Sequence, residues 1–346
     1  MTDLLDFYRQ HGISPVSQDI SDLPKHFARR AALFRHLGIL PQAVRAAEVL
    51  EVGPGGGHNA LYTLSLNPRT LCLVEPNPTG FGQCVDRFHD NHSVLVIQSD
   101  LEHYGFVGRP FDFVFCEGML SGHANPRAVL DKLIECTAIG GVLTVTCVDV
   151  IGHFPEIIRR AQAQAAIDPS APLADQVAVL RPMFAPHLAT LPNMSRPVDD
   201  WIIDNLINPG SILPQISFAE IIEHVWNKCR FWGCSPRFVQ ENKWYKDCAE
   251  NPGDKYGVNA LAYTEYLRKC HNFVDHRFWN GERSIWANKE LHRLCTEARD
   301  QLAAFEVTRD QRHLTAFNLM AEKIAPDFEP GMFGRAQLYL TMVRTA

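Results

Sequence analysis

The stretch EVLEVGPGGGHN, residues 48–59, decides the fold. An apolar segment, 49–52, broken only by Glu51, runs into four glycines and a proline, and a helical pattern follows over 59–66. A strand that ends in a glycine turn and hands over to a helix lets the backbone approach a bound nucleotide closely. The turn therefore predicts a nucleotide-type ligand at the end of the first strand of an α/β sheet.

Working outward, the alternation continues. Residues 70–75 (TLCLVE) read as a second strand, 94–98 (VLVIQ) as a third, 111–116 (FDFVFC) as a fourth and 142–148 (VLTVTCV) as a fifth. Helices fall between them at 80–89 and 125–138, the latter with Pro126 in an allowed first-turn position. Apolar strands alternating with helices imply a parallel sheet covered on both faces. Upstream, 22–37 has apolar residues at Leu23, Phe27, Ala31 and Phe34, a helical spacing, with Asp22 as its cap. Downstream, 154–166 reads as a helix, and the proline-rich 169–214 reads as an insertion with short helices. A helix at 217–226, a strand within 229–240, two or three helices in 259–323 and an alternating strand at 337–344 complete the chain. The last strand is expected to pair antiparallel with that of 229–240.

The 346 residues, 46% hydrophobic, suffice for one large domain or two smaller ones. A formal net charge of -6 without a Lys/Arg cluster argues against a nucleic-acid binder. The first ten residues, MTDLLDFYRQ, lack the basic start and apolar run of a signal peptide, and no apolar stretch is long enough to span a bilayer. Ten scattered cysteines with no CxxC suit reduced thiols, so a cytoplasmic protein is expected. His89 and His92 are three apart, but no third ligand follows at a useful spacing, so no metal is expected.

A dinucleotide fingerprint asks for G-x-G-x-x-G, and here His58 stands where the third glycine belongs. Glu51, two residues before Gly53, would repel a pyrophosphate and attract a ligand carrying an ammonium and a sulfonium. The run Val49-Leu50-Glu51-Val52-Gly53-Pro54-Gly55-Gly56-Gly57 resembles the cofactor loop of class I S-adenosylmethionine-dependent methyltransferases. Glu75 in LVEPNP and Asp100 in IQSDLE stand at the ends of the next two strands, as that family's ribose- and adenine-binding acids do. The resemblance covers roughly 48–149. It implies S-adenosylmethionine as cofactor, S-adenosylhomocysteine as product, and contacts from Glu51, Gly53, Gly55, Gly57, Glu75, Pro76, Asp100, Leu101, Cys116 and Glu117. It also implies a doubly wound, mostly parallel seven-stranded sheet with an antiparallel last strand, an N-terminal helical cap and helical insertions. The domain plan that follows is a cap at 1–46, a cofactor-binding core at 47–166, an insertion covering the acceptor at 167–216, and the rest of the core at 217–346.

Ligands of open α/β sheets sit beyond the carboxyl ends of the strands, so the fourth strand points at the transfer site. Of the groups after it, Glu117 and His123 are the candidate catalytic bases for a hydroxyl acceptor. Cys116 more naturally faces the core. By resemblance, 7–13, 169–214 and 235–245 shape the acceptor pocket, which makes Tyr8, Arg237, Trp244 and Tyr245 the candidate substrate-binding residues. The latter three suit an anionic or carbohydrate-like acceptor through charge and stacking, although Trp244 and Tyr245 equally suit packing of the C-terminal helices. The expected function is methyl transfer, oxygen first, to a small-molecule or glycan-type acceptor. The alternatives are a non-catalytic S-adenosylmethionine-binding scaffold and an NAD-dependent oxidoreductase. Oligomeric state is not legible.

Overall fold

The structure, a computed structural model, describes every residue except 1–3, 15–17, 103, 105–109, 192–193, 195, 213–214, 248–256, 329–331 and 333–336. The chain opens with helices α1 (Leu4–His11), α2 (Leu23–His36) and α3 (Pro41–Val44). Then come β1 (Glu48–Val52), α4 (Ala60–Ser65), β2 (Thr70–Val74), α5 (Pro78–Phe88), β3 (Val94–Ile97), β4 (Phe111–Cys116), α6 (Pro126–Cys136), β5 (Thr137–Val148) and α7 (Val150–Ala166). The insertion holds α8 (Leu173–Leu188), α9 (Val198–Ile202), a π-turn at Ile203–Ile207 and a 3-10 turn at Pro209–Ile212. The chain returns through α10 (Phe218–Val225), β6 (Cys229–Ser235), α11 (Val258–Lys269), α12 (Ile285–Thr308), α13 (Gln311–Ile324) and β7 (Gln337–Arg344).

The seven strands form one sheet in the order β3-β2-β1-β4-β5-β7-β6. All neighbours are parallel except β7, which runs antiparallel to β5 and β6. This is the mostly parallel sheet with an antiparallel last strand that the sequence implied. The chain runs outward from β1 to β2 and β3 and then crosses back to β4 on its other side, which makes the β1–β4 boundary the topological switch at which open α/β sheets bind ligands.

Register places the site. Val52 lies opposite Val74 and Cys116, Cys116 opposite Val145, and Val145 opposite Leu340. One step further on, Glu75, Gly53, Glu117 and Thr146 form a row at the carboxyl end, which Tyr339 and Ser235 continue by pairing. Side chains alternate between faces with a period of two. Val49, Leu71, Leu73, Phe113 and Phe115 pack on α2, α4 and α5, so Glu51, Glu75 and Glu117 emerge on that same face. Leu50, Val52, Cys72, Val74, Val114 and Cys116 face the other way, toward α6, α7 and α10 to α12.

Helix α2 starts where Asp22 caps it, through the Lys25 amide, with Pro24 in the first turn. Its Phe34 stacks on Phe115 of β4 with ring centroids 5.5 Å apart. Burying one such ring contributes about 1.5–3 kcal/mol and holds α2 across the strand ends. The insertion departs from the expected short helices: α8 runs for 16 residues despite Pro182 and Pro186. Its stripe of Val177, Leu180, Phe184 and Leu188 buries against Trp201 and Leu206, and that burial outweighs two missing amide bonds. Strand β5 begins at Thr137 rather than 142 and α7 at Val150 rather than 154, where buried Asp149 caps it through the Ile151 and Gly152 amides. The cysteines among the described residues are free and buried, Cys248 lying outside them. No described helix is long and apolar enough to cross a membrane.

Candidate cofactor and acceptor site

The glycine turn is held from all sides. Gly53, Gly55 and Gly57 have φ of +68°, +58° and +75°, a region that side chains disfavour. A Cβ on Gly57 would meet the Phe88 ring at 2.6 Å, and one on Gly53 the Met119 sulfur at 2.5 Å. The Gly53 amide donates to the Val74 carbonyl, the Cys84 thiol to the Gly55 carbonyl, and Arg87 Nε to the Gly56 carbonyl. Gly80 completes the fit, since a Cβ there would press on the Glu75 side chain at 3.1 Å.

Glu75 is buried beneath this turn. Its Oε2 accepts from the Gly55 amide at 2.7 Å and its Oε1 from the Asn77 amide at 2.8 Å. Burial pushes its pKa up to about 7 against the pull of those two amides. A carboxylate has about four acceptor positions, so two remain for ligand hydroxyls. Glu75 thus clamps the loop, a role the sequence did not show, and keeps two acceptor positions for the expected ribose contact.

Glu51 is 4% exposed. Burial first, then the neighbouring Glu117 charge, pushes its pKa up to about 8, with Arg30 opposing. A buried carboxyl suits a cationic ligand group once it gives up that proton. The hydroxyl of Ser14 is buried without a hydrogen-bond partner among the described residues, 3.6 Å from where a Gly55 Cβ would stand. These two features fit a polar, partly cationic ligand on the turn, as S-adenosylmethionine is.

Glu117 is not the free carboxylate expected of a base. Arg30 Nη1 donates to its Oε2 at 2.8 Å and Nη2 to its Oε1. Asn59 Nδ2 also donates to Oε2, at 3.2 Å, and the Tyr339 hydroxyl bonds to the same carboxylate. The Arg30 and Glu117 side chains are 8% and 12% exposed, so the pair is shielded from water. Arg30 sits on the apolar stripe of α2 between Phe27 and Phe34, and a guanidinium there demands a buried acid. Arg30, Asn59, Tyr339 and Ser14 were all missed in the sequence. Arg30 alone left a signal, a charge at a core position.

His123 stands on the loop after β4, where its Nδ1 accepts from the Asn125 amide at 3.1 Å. Its Nε2 faces Glu102 at 3.9 Å. Cys116 points to the opposite face of the sheet from Glu117, fully buried, and burial pushes its thiol up to about 12. Its side chain therefore lies on the face away from Glu51, Glu75 and Glu117. The Leu101 side chain is likewise buried in the core on that second face. Asp100 is half-buried at the end of β3, and the Pro76 carbonyl accepts from Arg9.

Of the expected acceptor residues, Tyr8 comes to the site but its hydroxyl is already engaged. It donates to Asp204 Oδ1 at 2.8 Å and accepts from Asn208 Nδ2 at 3.1 Å. Arg196 pairs with Asp204 and lies close enough to Tyr339 to favour its anion. The insertion thus stands over the Tyr339 end of the row. Arg237, Trp244 and Tyr245 are exposed, the two rings meeting edge to face at 5.3 Å with Lys246 Nζ above Trp244. The structure brings none of these three into contact with Glu51, Glu75 or Glu117.

Residues 49–141 match a family model described as a methyltransferase domain. No curated protein matches the chain. Among solved structures, an S-adenosylmethionine-dependent methyltransferase from Mesorhizobium loti is 12% identical, with 36% of this chain and 53% of that one covered and a TM-score of 0.31. The N-methyltransferase NodS from Bradyrhizobium japonicum, solved with S-adenosyl-L-homocysteine, is 18% identical, with 41% and 72% covered and a TM-score of 0.34. PKMT2 from Rickettsia typhi is 13% identical, with 91% and 52% covered and a TM-score of 0.47. The chain spans about half the length of the first and third of these.

Proposed function

We propose, from the premise that residues 49–141 form a class I S-adenosylmethionine-dependent methyltransferase domain, that the protein transfers a methyl group to a small polar acceptor, with nitrogen the favoured atom. The observation that carries the reading is the row of Glu75, Gly53, Glu117, Thr146 and Tyr339 at the carboxyl end of the sheet, below a cover of α1 and the insertion. Glu51 would take the cationic part of the cofactor, Glu75 its ribose hydroxyls through the two acceptor positions left, and Asp100 the adenine. The cofactor supplies a methyl group already activated on a sulfonium.

The acceptor atom follows from which groups are free. A hydroxyl needs a base in the transition state. Glu117 is occupied by Arg30, Asn59 and Tyr339, and His123 Nδ1 already accepts from the Asn125 amide. A carboxylate acceptor needs no base, but it needs a cation, and Arg30 and Arg196 are already paired with Glu117 and Asp204. A neutral amine needs neither. It loses its proton to solvent before docking, and the site only aligns it with the methyl group. The Arg30–Glu117–Tyr339 cluster then acts as a positioning element that fixes the wall between cofactor and acceptor.

The test is incubation with methyl-labelled S-adenosylmethionine and a panel of small amines, sugars and phenols. Label on amines, with kcat/KM rising as the amine deprotonates, supports the reading. Label on hydroxyl acceptors alone would return the base to the mechanism and send the search back to His123.

A further inference from the structure

Helix α1 and the residues just after it touch both halves of the site. At one end Leu4 lies against Gly210 and Gly122, the latter on the loop after β4. In the middle the Tyr8 hydroxyl is held by Asp204 and Asn208 of the insertion. At the other end the Ile13 carbonyl accepts from Asn77 Nδ2 at 2.8 Å, and Arg9 Nη2 reaches the Pro76 carbonyl at 3.4 Å. Asn77 is the residue whose amide also holds Glu75. Ser14 then lies over Gly55, its hydroxyl buried and without a partner among the described residues.

A buried hydroxyl left without a partner costs free energy comparable to a lost hydrogen bond. It is tolerated where a ligand completes it. Ser14 stands directly over the turn that the cofactor reading assigns, on a segment tied down by a few polar contacts.

We propose that residues 4–14 form a clasp over the cofactor, latched to the insertion by Tyr8, and that the Ser14 hydroxyl hydrogen-bonds the bound cofactor. The inference rests on the cofactor reading above and adds a binding residue and an order of events to it. The clasp opens to admit or release the adenosyl ligand. In closing it also sets the Tyr8 wall of the acceptor pocket, so the cofactor binds before the acceptor.

Two variants of the full chain separate the two roles. Tyr8→Phe keeps the ring and removes the latch, which is present with and without ligand. Association and dissociation rates of S-adenosylhomocysteine should both rise about tenfold, with Kd within about twofold. Hydrogen exchange of 4–14 in the ligand-free protein should speed up as well. Ser14→Ala removes only a contact made in the complex. It should raise the dissociation rate about fivefold, leave association unchanged and leave ligand-free exchange of 4–14 at the wild-type rate. Wild-type rates and exchange in Tyr8→Phe would overturn the clasp, and a wild-type dissociation rate in Ser14→Ala would overturn the contact. Wild-type protein that does not bind S-adenosylhomocysteine would overturn the cofactor reading and Ser14's role with it. The exchange measurement would still decide the latch.

Discussion

Glu51 should make cofactor binding release a proton. Its carboxyl is nearly inaccessible to water, and burial with the adjacent Glu117 pushes its pKa up from 4.5 to about 8. At pH 7 roughly nine in ten ligand-free molecules therefore hold that proton. A cation seated against the carboxyl requires the ionised form, so binding must expel it. Ionising at pH 7 a group whose pKa lies one unit higher costs about 1.4 kcal/mol, a roughly tenfold weaker Kd than the fully ionised site gives. From roughly pH 5.5 to 7, a window in which the ligand's own α-amino group keeps its proton, Glu51 should contribute about a tenfold fall in Kd per pH unit. Calorimetry at pH 7 in two buffers of different ionisation enthalpy should count proton release on cofactor binding, with roughly 0.9 proton from Glu51 and about half a proton more from Glu75, which is pushed up to about 7. The Glu51→Gln variant should release roughly 0.9 proton fewer and show a correspondingly shallower pH profile. A wild-type Kd independent of pH across that window, with no proton exchanged, would refute the reasoning: Glu51 would then be ionised before binding or remote from the cation.

Arg30→Met should strand Glu117 as a shielded, unpaired charge and cost about 3–5 kcal/mol by denaturant unfolding, recovered largely in Arg30→Met/Glu117→Gln. Equal losses in single and double variants would mean that Arg30 acts by packing alone. Gly57→Ala should destabilise by about 1–3 kcal/mol, since φ is +75° and the Phe88 ring blocks a Cβ; a neutral effect would show that the turn relaxes freely. Stability of the ligand-free protein should fall as pH rises from 6.5 to 8. Glu51 is pushed up to about 8, and Glu75 and Glu156 to about 7, so the folded state holds protons that the unfolded chain has lost. His58, His153 and His271, held down to about 4 chiefly by burial, oppose this fall near pH 6.5 and cease to do so by about 7.5, as the unfolded chain's histidines lose their protons, so the three carboxyls set the net direction. A midpoint temperature that is level or rising from pH 6.5 to 8 would contradict those shifts.

The sheet was legible because its strands are short apolar runs punctuated by glycine and acid, and period-two alternation fixes which face each acid takes. Glu51, Glu75 and Glu117 could be aligned from sequence as strand-end acids. Their partners could not, because Arg30 and Tyr339 reach them from helix α2 and strand β7, elements far apart in the chain. The same non-local pairing explains Tyr8, whose place near the site was expected but whose hydroxyl goes to Asp204, 196 residues away. In the insertion, prolines hid the three-to-four spacing of α8, since local propensity there opposes the helix and burial overrides it. Trp244 and Tyr245 carry the composition of a binding surface, but composition does not say which residues converge on the strand ends.

The most direct test of the central claim is calorimetric titration of the full chain with S-adenosylmethionine, S-adenosylhomocysteine and NAD, alongside the Glu75→Ala variant. Both adenosyl ligands should bind saturably, NAD should not, and affinity should fall in the variant, which removes both the loop clamp and the remaining acceptor positions. Binding of NAD alone, or equal affinity for the adenosyl ligands with and without Glu75, would contradict that claim.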